Sequence, residues 1–227
     1  MKVLLVVVCT WCVIADSVQG QVTSGDPDQI IIDAAAYLRS GNAGQRSGGS
    51  YRLRLLFREQ SDLVTPAIVA TATDSLLDIA STHVDPAGRA IALGLMLQLR
   101  VGSPPKPLVS AEQLAAALRR VNEAATRGLF IEFIGFHSDT AAAVEELLRI
   151  ARSAPDGHTA IEELERKGKV GRDALIRLDR EGGIVSPRAR ARLESLRTRG
   201  FPVDTIRRTE RQRTQGVQPA HRRRERG

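Results

Sequence analysis

The amino-acid sequence predicts an all-α protein in which antiparallel helix pairs stack as a short α-solenoid, with an irregular helical bundle as the alternative. Three observations favour this fold class. Apolar residues recur at helical spacing in about nine segments of the chain. Capping residues and prolines stand where those segments begin, and glycines stand where most of them end. No Asn-Gly turn is present to indicate a β-hairpin.

The composition is that of a folded protein and not of a disordered chain. Of the 227 residues, 42% are hydrophobic, which is enough for one or two domains with packed cores. Only 4% are aromatic, so few large rings are available to stack on bases, sugars or cofactors, and we expect no cofactor. The formal net charge of +7 favours an anionic partner.

The N-terminus has the pattern of a secretory signal peptide, residues 1–20. An apolar run from Val3 to Ala15 follows a short positive start. Small residues then predict cleavage after Gly20, or alternatively after Ala15. The run is shorter than the roughly 18 apolar residues that span a bilayer, so no transmembrane segment is expected after cleavage. The mature protein is therefore expected to be secreted or periplasmic.

Both cysteines, Cys9 and Cys12, lie inside this signal peptide. The mature chain would contain neither, which excludes a disulfide, a zinc-thiolate centre and a cysteine nucleophile. The fold would then depend on packing alone.

Residues 21–50 are expected to form an N-terminal helix and a linker. Asp26 is placed to cap the helix, Pro27 occupies its first position and Gly41 follows its last apolar turn. Residues 40–50 are polar and rich in glycine and serine, which predicts a flexible linker.

Residues 51–200 are expected to form the main helical domain. Tyr51 to Phe57 alternates apolar residues with arginines, as a strand would, but an isolated strand has no partner and a short helix is favoured. Ser110 and Gln113 form a capping box for a helix to about Thr126. The remaining predicted helices are 66–81, 85–100, 129–136 (a buried strand being the alternative for this apolar window), 139–154, 158–167, 172–181 and 187–199, with a proline-rich break at 101–109 and a glycine break at 168–171.

Two predicted helix starts share one pattern. A capping residue, Asp85 or Ser186, is followed by proline and then, four residues after the cap, by Arg89 or Arg190. We interpret these four residues as equivalent positions of a structural repeat. Each arginine is expected to bond a neighbouring carbonyl or carboxylate and not a ligand.

Residues 160–200, with the segments AIEELERKG, GRDALIRLD and SPRARARLESLRTRG, resemble the HEAT-repeat family, in particular its short phycobilisome-lyase-like bacterial repeats. Residues 65–99 are similar but looser, and the resemblance covers about half of the mature chain. The resemblance implies a curved binding scaffold whose function lies in surface side chains, and it implies no reaction.

No group of residues has the pattern of a catalytic or metal site. In His137-Ser138-Asp139 the three side chains are adjacent in sequence and cannot form a relay; Ser138 or Asp139 is better explained as a helix cap. His83, His158 and His221 lack the spacing of helical metal ligands. The pairs Glu145-Glu146 and Glu162-Glu163 are interpreted as solvated helix faces, paired with Arg149 and Arg166.

Positive charge is concentrated at the C-terminus. Residues 186–227 contain 13 arginines and 4 acidic residues, a net charge of +9, whereas residues 21–185 have a net charge of −2. Apolar residues are sparse beyond about Asp204, so residues 201–227 are expected to be a disordered, arginine-rich tail. Its predicted polyanion-binding residues are Arg207, Arg208, Arg211, Arg213, Arg222, Arg223, Arg224 and Arg226. Export makes anionic lipid, lipopolysaccharide or a cell-wall polymer the expected anion, ahead of nucleic acid.

These features predict an exported, non-enzymatic helical-repeat scaffold that binds an unidentified protein partner and attaches through its tail to an anionic surface of the cell envelope. Two alternatives stay open. One is a nucleic-acid-binding helical protein, and the other is an enzyme whose carboxylates converge only in the fold.

Overall fold

The structure is a computed structural model that describes residues 26–153 and 156–199. Its regular elements in these ranges are ten α-helices, one 3₁₀ turn and one two-stranded hairpin. The helices are α1 (Pro27–Leu38), α2 (Ala43–Glu59), α3 (Pro66–Thr82), α4 (Pro86–Gln98), α5 (Ala111–Leu118), α6 (Ala124–Phe136), α7 (Thr140–Ala151), α8 (Gly157–Arg166), α9 (Gly168–Glu181) and α10 (Ser186–Thr198). The 3₁₀ turn is Ser61–Leu63, and the strands are β1 (Arg100–Val101) and β2 (Lys106–Pro107). The all-α prediction is confirmed.

The chain divides into two compact units, with the boundary between Phe133 and Ile134, inside α6. In unit 1, α1 pairs with α2 and α3 pairs with α4, while α1 also packs on α3 and α2 on α4. Fully buried leucines from all four helices, such as Leu38, Leu56 and Leu76, fill the space between them. The last turns of α2 and α4 lie at one end of this group, where they line the same cleft, and their first turns lie at the other end, where Arg46 pairs with Asp85.

Unit 2 contains helices α7 to α10. Each of these helices packs on the next, and α7 also packs on α9 and α8 on α10. Alanines such as Ala143, Ala160 and Ala174 are buried where the helices approach, and leucines fill the core between them.

The linker predicted for residues 40–50 was wrong, because α2 begins at Ala43 and runs without interruption to Glu59. Asn42 caps the helix by accepting hydrogen bonds from the N–H groups of Gly44 and Gln45. Gly49 is buried against α1, where a Cβ atom would lie 2.6 Å from the carbonyl oxygen of Ala34. The glycine thus permits close helix packing and does not interrupt the helix.

Three other boundaries differ from the prediction. The helix that begins after Ser110 ends at Leu118, and a new helix begins at Ala124. The glycine break predicted at 168–171 is the first turn of α9, in which Gly171 packs against the carbonyl of Leu164. The proline-rich break contains the short antiparallel pair β1–β2, which pairs Arg100 with Pro107.

Several local predictions are confirmed. The capping box of Ser110 and Gln113 is present, with both reciprocal hydrogen bonds formed. Asp139 caps α7 by accepting from the N–H of Ala142. The segments Tyr51 to Phe57 and Leu129 to Phe136 are both helical.

Candidate functional site

A cleft of about 950 Å³ opens in unit 1 where α2 and α4 end. It is formed by the end of α2, the 3₁₀ turn, the start of α3 and the β1–β2 hairpin. Its lining residues are Arg54, Phe57, Arg58, Ser61, Val64, Pro66, Val69, Gln98, Leu99, Arg100, Val101, Gly102 and Pro105. We call this feature the arginine-rimmed cleft.

The floor of the arginine-rimmed cleft is apolar. Phe57 and Leu99 are buried, and each presents an edge to the cleft. Val64, Val69 and Val101 are half-buried and extend the same surface. A ligand that covers an apolar floor of this kind is bound more tightly, because its binding displaces water from exposed hydrocarbon.

The rim of the cleft is positive. Arg54, Arg58 and Arg100 are exposed, and no carboxylate is among the lining residues. Arg54 donates a 2.8 Å hydrogen bond to Oε1 of Gln98, which fixes its guanidinium between α2 and the end of α4. Arg58 lies 3.9 Å from the carboxylate of Glu59, its one ionic partner in the part of the chain that the structure describes.

This local charge contrasts with the balance of the unit as a whole. Between residues 26 and 133 there are 11 basic and 11 acidic side chains. Four other arginines of the unit each pair with a carboxylate, namely Arg39, Arg46, Arg52 and Arg89; the distance from Arg39 to Asp78 is 2.8 Å. Arg54 and Arg100 have no carboxylate partner among the described residues, so the cleft concentrates uncompensated positive charge beside an apolar floor.

At the opposite end of the four helices, a polar cluster joins the helix termini. Arg46 is buried and pairs with Asp85 at 3.0 Å while donating to the carbonyl of Ser40 at 2.9 Å. Nδ1 of His83 accepts from the N–H of Asp85 at 2.9 Å, which leaves Nε2 to donate to the carbonyl of Arg39 at 3.1 Å. The bonds in this cluster are between protein groups, so we assign it the structural role of tying the helix ends together.

Arg89 extends the polar cluster toward α6. It is only 9% exposed, and its guanidinium donates to the carbonyl of His83, to Glu123 and to the hydroxyl of Thr126. Thr126 also donates to Glu123 at 2.6 Å. These two hydrogen bonds, first from Thr126 and then from Arg89, hold the pKa of Glu123 below its usual value.

The other predicted repeat start is built differently. Asp85 caps α4 through the N–H of Ala87, whereas Ser186 is the first residue of α10 and makes no cap hydrogen bond. The capping role inferred for Ser186 was therefore wrong: its hydroxyl donates to the carbonyl of Asp179 at 3.1 Å instead. Arg190 also binds Asp179, at 2.9 Å, with its side chain 70% exposed.

The prediction of solvated faces for the glutamate pairs of unit 2 holds for Glu145, which is exposed, but not for the second glutamate of each pair. Glu145 binds Arg177 of α9 at 2.6 Å, and Glu162 binds Arg192 of α10 at 2.6 Å. Their neighbours Glu146 and Glu163 are buried, and each pairs with the arginine three residues later, Arg149 or Arg166. In place of the expected i,i+4 pairs, the first glutamate of each pair binds an arginine of another helix, and the second binds an arginine of its own helix.

Unit 2 has a polar group of its own, which includes Glu163. Its carboxylate lies against α6, where a Cβ on Gly135 would be 2.6 Å from Oε2. Lys167 donates to the carbonyl of His137 at 3.3 Å, and burial lowers the pKa of its amine. His137 is itself buried and accepts from the N–H of Asp139. These contacts join α6, α7 and α8.

The described residues contain no group of three or more histidine, cysteine or acidic side chains that could hold a metal ion. Within the same ranges, no helix combines the length and the apolar character needed to cross a membrane. The eight arginines predicted to bind polyanions, and His221, lie outside the described residues, as does the predicted signal peptide.

The sequence reasoning did not identify the arginines of the cleft. Part of the signal was present, because Arg54 and Arg58 are four residues apart and share a face once the helix predicted for residues 51–57 is extended to Arg58. Arg100 could not have been added from sequence, since the fold of the hairpin brings it to the same cleft. No family model, curated protein or solved structure matches the chain.

Proposed function

We propose that this protein is an exported helical scaffold that binds a protein partner through the arginine-rimmed cleft. The observation that carries the proposal is the cleft itself: an apolar floor of buried and half-buried side chains beneath three exposed arginines. Apolar surface surrounded by polar groups is the usual composition of a binding site for another protein, and arginine is enriched at such sites.

The packing of the helices supports a short solenoid of the HEAT-like type. In each unit a helix packs both on its neighbour and on the helix after that, which is how stacked helix pairs are arranged. In unit 2 the ion pairs Glu145–Arg177 and Glu162–Arg192 join such second neighbours. Helices α8, α9 and α10 overlap the segment 160–200, which most resembles HEAT repeats.

Export and envelope attachment form the second part of the proposal. Both depend on residues that the structure does not describe: the signal peptide, 1–20, and the arginine-rich tail, 201–227. The apolar run supports export, and the tail's excess of arginine supports attraction to anionic lipid, lipopolysaccharide or a cell-wall polymer.

Site-specific photocrosslinking tests whether a protein partner occupies the cleft. A benzophenone amino acid replaces Val64, which lines the cleft, and in a matched control it replaces Tyr51, an exposed aromatic residue of α2 that does not line it. The mature protein is then irradiated in an envelope fraction. We expect a discrete crosslinked protein from position 64 and not from position 51.

The crosslink must also depend on the rim charge. The double substitution Arg54→Glu and Arg100→Glu should abolish it, whereas Arg119→Glu with Arg120→Glu, which changes charge by the same amount outside the cleft, should leave it unchanged. A crosslink that both double variants retain equally would exclude the cleft as the binding site.

A further inference from the structure

We propose that the arginine-rimmed cleft accepts an extended acidic peptide segment, in which two carboxylates separated by one apolar residue bind the arginines while the apolar side chain covers the floor. This inference rests on the proposed function and specifies the partner's chemistry. It is carried by three features of the cleft: its charge, its spacing and its openness.

The charge of the cleft selects an acidic occupant. Its lining contains three arginines and no carboxylate. Guanidinium groups bind carboxylates with two parallel hydrogen bonds, which favours arginine at sites of this kind. The hydrogen bond between Arg54 and Gln98 holds one of these guanidinium groups in place before any ligand arrives.

The spacing of the rim matches an extended chain. Arg54 and Arg58 are four residues apart on α2, a rise of about 6 Å along the helix axis. In an extended peptide, side chains on the same face recur every second residue, about 6.6 Å apart. Acidic residues at positions i and i+2 of a segment running along α2 are therefore in register with the two arginines. The residue between them projects away from α2, and Val69, which lines the cleft from α3, offers apolar surface to it.

The open rim favours a chain segment over an enclosed small molecule. The two α2 arginines are exposed, and so are Ser61, Pro66 and Gly102. A peptide can therefore enter from one side of the cleft and leave from the other. A buried ligand would instead need walls that close over most of its surface.

The terminal segments of this chain do not supply the acidic occupant. Residues 200–227 contain eight arginines and three acidic residues, so a positive rim repels them. Residues 1–25 contain one acidic residue, Asp16, and one lysine, Lys2, so they have no net charge. Another protein is therefore the better source of complementary charge, since a second copy of this chain brings the same basic tail.

Binding of a synthetic peptide tests the inference directly. The probe is acetyl-Gly-Glu-Leu-Glu-Leu-Gly-amide, titrated into the full mature chain and followed by calorimetry. We expect saturable binding that weakens as salt is raised from about 0.05 to 0.5 M. Replacing both glutamates of the probe by glutamine should weaken binding at least about tenfold, since the charge-assisted bonds are lost.

Matched variants locate the binding. Arg54→Ala with Arg58→Ala should reduce affinity for the peptide at least about fivefold, and Arg119→Ala with Arg120→Ala should not change it. All four arginines are exposed, so the variants are expected to fold, which circular dichroism and thermal unfolding verify. Equal binding of the glutamine peptide, or no effect of the Arg54/Arg58 variant, overturns the inference.

Two further outcomes are informative. If dodecanoate competes more strongly than the peptide, the cleft binds a small amphipathic anion and the peptide inference is wrong. If the crosslink at position 64 persists but the acidic peptide does not bind, the proposed function stands and only the partner's chemistry is wrong. If position 64 gives no crosslink in the protein that keeps its rim arginines, the proposed function is wrong as well.

Discussion

The guanidinium of Arg89 is buried and joins two segments of unit 1. Arg89 is 9% exposed and bonds a carbonyl at the end of α3 and a carboxylate and a hydroxyl at the start of α6. Its replacement by alanine leaves those groups without their donor and should lower the free energy of unfolding by about 3 kcal/mol. Urea denaturation at neutral pH measures the loss.

The matched control is Arg190→Ala, at the position that the sequence pattern equates with Arg89. Its side chain is 70% exposed and its ion pair with Asp179 is screened by solvent. The cost should stay below about 1 kcal/mol. Equal destabilisation by the two substitutions would contradict the structural difference between these positions.

The pKa of Glu123 provides a test by pH. Hydrogen bonds from Thr126 and Arg89 lower this pKa in the folded state relative to the unfolded chain. The stabilisation is therefore fully present above the unfolded pKa, about 4.5, and is lost as pH falls through the lower folded value. Between about pH 5 and pH 3, wild-type stability should fall more steeply than that of Glu123→Gln. A second variant, Glu112→Gln, removes an exposed carboxylate as the control, and identical slopes for wild type and Glu123→Gln would refute the assignment.

Local chemistry explains which residues could be predicted. Ser110 and Asp139 cap helices because their side chains bond backbone N–H groups two or three residues away, and such contacts are visible in the sequence. The cleft was not predictable in this way. Arg54 and Arg100 come from different elements, and the fold alone brings them together.

At the scale of elements, α2 shows how tertiary contacts override composition. Its first turns are rich in glycine and serine, which favour a linker. The structure instead places Arg46 in an ion pair with Asp85 and packs Gly49 against α1, and these contacts compensate for weak helix propensity. The sequence pattern contained the glycines but not their partners, so the linker prediction failed.

Two adjacent glycines of α2 test this interpretation. At Gly48 no atom lies within 4 Å of a Cβ, so Gly48→Ala should raise the free energy of unfolding by about 0.5–1 kcal/mol through backbone entropy. At Gly49 a Cβ would lie 2.6 Å from the carbonyl of Ala34, so Gly49→Ala should lower it by about 1–3 kcal/mol. Thermal unfolding of the two variants measures both effects. Stabilisation by both substitutions would show that α2 does not pack on α1 as described.

The helices of unit 2 show why a repeat can be detected while its contacts are mispredicted. The segment Glu-Glu occurs in both α7 and α8, with an arginine three residues after the second glutamate. Sequence spacing alone favours pairing within one helix. In the structure the first glutamate of each pair turns to a second-neighbour helix, through Arg177 or Arg192, because the helices stack closely enough for long side chains to reach.

At the scale of the whole molecule, positive charge is concentrated in two features that we propose to bind anions, the cleft and the C-terminal tail. The described part of unit 1 has equal numbers of basic and acidic side chains, yet its cleft is positive because three arginines and no carboxylate line it. The arginines of α10 are largely paired as well, as Arg192 is with Glu162 and Glu165. The excess positive charge of the C-terminal region therefore belongs mainly to residues 200–227.

Deleting residues 204–227 separates these two features. This segment carries eight arginines, and each basic residue near an anionic membrane contributes roughly 1 kcal/mol. Cosedimentation with phosphatidylglycerol vesicles should therefore fall at least about tenfold in the truncated mature protein, while binding of the acidic peptide to the cleft stays unchanged. Vesicles of phosphatidylcholine serve as the neutral control, and the vesicle binding of the intact protein should decrease as salt rises. Unchanged cosedimentation after truncation would assign membrane attraction to the helical units and remove the tail's proposed role.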